Sequence, residues 1–105
     1  MPYFVKQPVD EQRIRRMPRQ FGAVDRELVY RGIIRKLSIE EMALYLILVC
    51  VSDVEGLSYY SDQRLATLLG IDTGLVKRAR AGLLAKGMIL YKPPLYQLLN
   101  LPEAS

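Results

Sequence analysis

The chain has 105 residues, room for one domain around one core, and with half of them apolar and a quarter charged it is neither fibrous nor intrinsically disordered. Lysine and arginine number 15 against 11 aspartate and glutamate, and a formal charge of +4 favours a polyanionic partner. Histidine is absent and Cys50 is the single cysteine, which excludes disulfide frameworks, Cys/His metal centres and Ser-His or Cys-His nucleophile pairs.

Charge is segregated along the chain. Residues 1–36 carry nine basic and four acidic side chains, residues 37–60 carry four acidic and none basic, and residues 61–92 carry six basic and two acidic. Two basic segments thus flank an acidic one, as expected of a fold with one positive surface. The start, Met1 to Lys6, has no apolar leader core, and the longest apolar run, Met42 to Val51, is about half of a membrane span, so a cytoplasmic protein with no membrane partner is expected.

The first 24 residues contain Pro2, Pro8 and Pro18, and the run Arg13-Ile14-Arg15-Arg16-Met17-Pro18-Arg19 has no sustained apolar period, so it reads as a basic arm. Asp25 is placed to cap a short helix through Arg35, with Leu28, Ile33 and Ile34 as apolar contacts and Gly32 as its weak point. Ser38-Ile39-Glu40-Glu41 is a capping box, and the helix it starts runs to about Asp53, apolar almost all round. Within it Cys50, set in Leu48-Val49-Cys50-Val51, reads as a small buried hydrophobe. Gly56 ends the connection to a short strand, Leu57-Ser58-Tyr59-Tyr60.

Ser61 caps a helix over Asp62 to Leu69 that buries Leu65, Ala66 and Leu69 and ends at Gly70. A turn, Gly70-Ile71-Asp72-Thr73, leads into a helix from about Gly74 to Lys86, capped by Asp72 or Thr73 and stopped by Gly87. Met88 to Lys92 and Leu95 to Leu99 are strand-like and meet at Pro93-Pro94, the spacing of a hairpin. Proline at the third turn position disfavours a type I turn and leaves a cis Pro93-Pro94 bond as an alternative.

Leu65-Ala66, Leu69-Gly70-Ile71, Val76, Leu83 and Lys86-Gly87-Met88-Ile89 together resemble the winged helix-turn-helix domains of bacterial repressors. With Leu44-Tyr45-Leu46 and Gly56 to Ser61 added, residues 37–101 are similar to helix-turn-helix domains of plasmid replication initiators and mobile-element proteins. The resemblance implies an α+β, mainly α fold: a three-helix core, a short C-terminal hairpin and an N-terminal arm. Residues 1–36 would be the basic arm and short helix, 37–101 the winged domain and 102–105 a tail. Ala66 would be small because two helices cross there, Gly70 would supply a positive φ, and Ile71 would plug the space between the helices.

With Val76 and Leu83 inward, the opposite helix face presents Thr73, Gly74, Lys77, Arg78 and Ala81, which the resemblance places in the DNA major groove, Lys77 and Arg78 foremost. Lys92 is the one basic residue of the hairpin. Arg13, Arg15, Arg16 and Arg19 are expected to reach phosphates or the minor groove, or else to pair with Glu40 and Glu41. The pattern departs from the family at Arg80, where an apolar residue is usual, and at Leu84, where a polar one is common. Either the inward face is rotated or Arg80 is partly buried, with Asp62 or Asp72 as its partner.

The expected function is double-stranded DNA binding in transcription control or in replication and maintenance of a mobile element. A second copy of the chain and a protein of a replication or mobile-element complex are the further partners expected. The alternative is a docking module without DNA binding, in which Leu95, Leu98, Leu99 and Leu101 pack on a partner. Asp53, Asp62 and Asp72 are too scattered for a metal pair and no phosphate-cradling loop is present, so no catalytic residue, metal or cofactor is expected and the chain does not read as an enzyme.

Overall fold

A computed structural model of the chain describes residues 6–103. Among these residues four α-helices, α1 (Glu27–Tyr30), α2 (Ile39–Val51), α3 (Asp62–Leu69) and α4 (Thr73–Ala85), combine with strands β1 (Leu57–Tyr59), β2 (Ile89–Lys92) and β3 (Leu95–Leu98). The fold is α+β and mainly helical. The strands form one antiparallel sheet in the order β1-β3-β2, so the C-terminal strand is central, and Ser58, Tyr96 and Tyr91 lie side by side across it. The Pro93-Pro94 peptide bond that joins β2 to β3 is cis.

Capping explains where the helices begin. The Ser38 hydroxyl accepts the Glu41 amide at 3.1 Å while the Glu41 carboxylate accepts the Ser38 amide at 2.9 Å, the reciprocal pair that starts α2. Ser61 accepts the Arg64 amide at 3.1 Å, and Asp72, rather than Thr73, caps α4 by accepting the Leu75 amide at 2.8 Å. Gly70 turns the chain between α3 and α4 at φ +69°, a left-handed conformation costly for a residue with a Cβ.

Two helix boundaries differ from expectation. No helix spans Asp25 to Arg35: after the single turn of α1 the chain takes φ +70° at Gly32 and resumes as a 3-10 turn, Ile33–Lys36. The left-handed residue interrupts the ladder, and Asp25 instead accepts the Glu27 amide at 2.9 Å. Helix α2 stops at Val51 because the Asp53 carboxylate accepts the amides of Glu55 and Leu57, at 2.8 and 3.0 Å, favouring a turn over another helical residue.

Helix α2 packs on α4, α3 and β3, and α4 packs on α3 and β2. Leu44, Leu48, Leu65, Val76, Leu83, Met88, Ile89 and Tyr96 are the most deeply buried side chains at their centre, and Leu28 and Leu37 from the N-terminal part join the same cluster. Leu98 and Leu101 lie against it, and the Leu99 amide donates to the Met88 carbonyl at 3.2 Å, so the leucine-rich end covers the chain's own core. Cys50 is exposed, contrary to its reading as a buried hydrophobe. The core-facing residues of α2 are Glu41, Leu44, Tyr45, Leu48 and Val49, and Cys50 falls on the opposite side of the helix.

Candidate nucleic-acid interface

Helix α4 is amphipathic in a simple sense. Val76, Ala79 and Leu83 recur at helical spacing and are buried, while Thr73, Gly74, Lys77, Arg78 and Ala81 are all exposed on the other side. The five expected contact residues of this helix therefore share one solvent-facing surface. Its middle is formed by Gly74 and Ala81, so the helix backbone can come close to whatever docks there. Arg64 and Thr67 are exposed on α3, the preceding helix, and Arg64 is a cation that the sequence pattern did not single out.

The flanks of α4 are tied to the rest of the fold by charge. On one flank, Arg80 donates to both carboxylate oxygens of Asp62 on α3 and to the Tyr96 hydroxyl at 2.9 Å, with its guanidinium carbon 4.3 Å from the centroid of the Tyr91 ring. The Tyr91 and Tyr96 rings meet at a tilt of 37° with centroids 4.5 Å apart. Burial by itself would lower the Arg80 pKa; the hydrogen bonds to Asp62 and Tyr96 outweigh it and hold the guanidinium charged. The inward face is thus unrotated, and the unusual arginine bridges α3, α4 and the hairpin. Asp62 is its partner. Burial also raises the Tyr96 pKa, against the opposing pull of Arg80.

On the other flank Glu41, a buried carboxylate, accepts from Lys86 as well as from the Ser38 amide. It fits because residue 82 is glycine: a Cβ there would lie 1.7 Å from Glu41 Oε2. Close by, Glu40 and Arg78 line a small hollow with Ser38, Leu75 and Ala79. The Glu40 carboxyl is held below its usual pKa first by its own backbone amide, then by the Ser38 hydroxyl, with Arg78 adding a smaller pull. Arg78 therefore works beside an acidic neighbour. Lys77 forms no ion pair among the described residues.

Lys92, at the end of β2, is exposed, as are Arg13, Arg15, Arg16 and Arg19. Arg13 closes a 3-10 turn, Glu11–Arg13, that Asp10 caps. None of these four arginines pairs with Glu40 or Glu41 among the described residues. The arm nevertheless touches the fold at its end: Arg19, Gln20, Phe21 and Gly22 line a hollow with Cys50 and Ser52, and a Cβ on Gly22 would come within 2.4 Å of the Val49 carbonyl oxygen. Arg19 thus sits at the C-terminal end of α2, whereas the exposed face of α4 is a separate surface.

Among the described residues no three His, Cys, Asp or Glu side chains gather as a metal site, and no helix is long and apolar enough to cross a membrane. Comparison with protein-family models, with curated proteins and with solved structures finds no match.

Proposed function

We propose that the chain is a winged helix-turn-helix protein that binds double-stranded DNA with α4 in the major groove, in transcription control or in replication and maintenance of a mobile element. The observation that supports this reading is the free face of α4, where Thr73, Gly74, Lys77, Arg78 and Ala81 are exposed together and none of the described residues covers them. Small residues at its centre and cations beside them suit close approach to a groove lined by phosphates and base edges. Lys92 adds one phosphate contact from the hairpin, and the exposed arginines of the arm add charge without sequence reading.

Gel-shift titration against random duplex at two salt concentrations tests the proposal, since each neutralised phosphate contributes about −0.9 to the slope of log K against log salt. Lys77→Ala and Arg78→Ala should each weaken binding by about 1–3 kcal/mol, the size of a base-edge contact, and leave the melting temperature almost unchanged. Parent-like binding by both variants would overturn the assignment of α4. A docking module is the second reading, favoured by the sheet's outer face, where Tyr59 is 70% and Leu90 52% exposed. That module would show no salt slope with duplex.

A further inference from the structure

Helix α2 has two apolar faces and the fold uses one. Leu44, Tyr45, Leu48 and Val49 are buried, whereas Ile39 is 74% and Leu46 58% exposed, and Cys50 is exposed beside them. Ala43 is half-buried between them. Positions 39, 43, 46 and 50 are four, three and four residues apart, the spacing of one continuous stripe along a helix, and no charged side chain interrupts it. The face that packs on α4 lies on the other side, so covering the stripe leaves the exposed surface of α4 free.

Two properties of the stripe identify what fits it. Its side chains alternate large, small, large, small: Ile39, Ala43, Leu46, Cys50. A second α2 laid across it antiparallel puts Ile39 opposite the partner's Cys50 and Ala43 opposite the partner's Leu46, so that every level pairs a large side chain with a small one. A parallel pair sets large on large. The ends of the stripe also present groups of opposite charge, with the Glu40 carboxylate, which shares its hollow with Arg78, next to Ile39 and Arg19 lining the hollow beside Cys50. Neither forms an ion pair among the described residues. Antiparallel packing brings the acidic end of each copy to the basic end of the other, twice over, while parallel packing brings like to like.

We propose that the α2 stripe is the homodimer interface of this protein, closed by a second copy in antiparallel two-fold contact. The inference is independent of DNA binding, and its test needs none. In the antiparallel pair the two Cys50 residues are about 16 Å apart along the helices, at a rise of about 1.5 Å per residue, far beyond disulfide reach, whereas residues 39 and 50 of opposite copies face each other. Ile39→Cys, combined with the native Cys50, should therefore give a disulfide-linked dimer under mild oxidation on a non-reducing gel. The parent and the double variant Ile39→Cys/Cys50→Ser should remain uncrosslinked.

Sedimentation equilibrium of the unmodified parent at tens of micromolar should give twice the monomer mass, and Leu46→Glu should raise the dimer dissociation constant at least about tenfold with its circular dichroism spectrum unchanged. A parent that sediments as a monomer overturns the proposal. So does a folded Ile39→Cys protein that fails to cross-link, or a parent that cross-links through Cys50 as readily as the variant does. If Ile39→Cys does not fold, the sedimentation of the parent and of Leu46→Glu decides.

Discussion

Arg80→Ala is the substitution whose cost the structure determines most closely. It removes a hydrogen-bonded ion pair to Asp62, a hydrogen bond to Tyr96 at 2.9 Å and a guanidinium 4.3 Å from the Tyr91 ring centroid. Exposed ion pairs contribute about 0.2–1 kcal/mol and breaking a buried pair costs about 3–5 kcal/mol. The Arg80 and Asp62 side chains are 14% and 25% exposed, which places this pair between the two, at about 1.5–3 kcal/mol. The Tyr96 bond adds about 1 kcal/mol and the ring contact about 0.5–1 kcal/mol. A loss of about 3–5 kcal/mol follows, a large part of the roughly 5–15 kcal/mol that holds a domain folded.

Each kcal/mol lowers the melting temperature of a domain this size by about 4–8 °C, so Arg80→Ala should melt at least about 12 °C below the parent. Urea unfolding of the parent, Arg80→Ala, Asp62→Ala and the double variant isolates the pair itself, with an expected coupling of about 1–3 kcal/mol. Arg80→Lys should recover less than half of the loss, because an ammonium keeps the charge but neither the fork that spans Asp62 and Tyr96 nor the flat contact with Tyr91. An Arg80→Ala protein within about 0.5 kcal/mol of the parent, the range of an ordinary surface change, would refute the reasoning.

Gly82→Ala gains about 1 kcal/mol of helix propensity but drives the Glu41 carboxylate from the Ser38 amide and from Lys86, at about 1 kcal/mol for the cap and about 1.5–3 kcal/mol for the charged contact. A net loss of about 1.5–3 kcal/mol in urea is expected from these opposing contributions, and a variant as stable as the parent would show that Glu41 is not confined by α4. Deleting residues 1–17 removes Arg13, Arg15 and Arg16 while leaving Arg19 and the Gly22 contact with α2. It should flatten the salt slope of duplex binding by about two to three phosphate equivalents with little change in melting temperature; a large drop in melting temperature with the slope intact would mean that the arm is structural.

The elements that could be read ahead of the structure are those set by local chemistry. Ser61 and the Ser38–Glu41 pair mark helix starts through side chains that cap amides one turn away, Gly70 marks an end through its left-handed backbone, and α3 runs from Asp62 to Leu69 as its caps dictate. The outward face of α4 was equally readable, because Val76 and Leu83 fix a helical phase and the exposed set follows from it. What stayed open depended on contacts distant in sequence. Arg80 finds Asp62 eighteen residues earlier and Tyr96 sixteen residues later, and only the fold determines which of Asp62 and Asp72 it meets. The Glu41 and Lys86 pair spans 45 residues and needs a glycine at position 82 to exist, a constraint that no local window contains.

Cys50 shows why an apolar run hides its own exposed side. When nearly every residue of a helix is apolar, periodicity no longer separates the core face from the other, and burial becomes the default reading for all of them. In the structure the separation is sharp, with Leu44 and Leu48 fully covered and Ile39 and Leu46 more than half exposed on one helix. Leaving such a stripe in water forgoes about 25 cal/mol for each square ångström of apolar surface, and solvation of this face does not require apolar side chains; association does. The apolarity of α2 beyond what its own core consumes is therefore itself an argument for a partner on that face, and the large-small order of Ile39, Ala43, Leu46 and Cys50 makes an identical helix running the other way a fitting one.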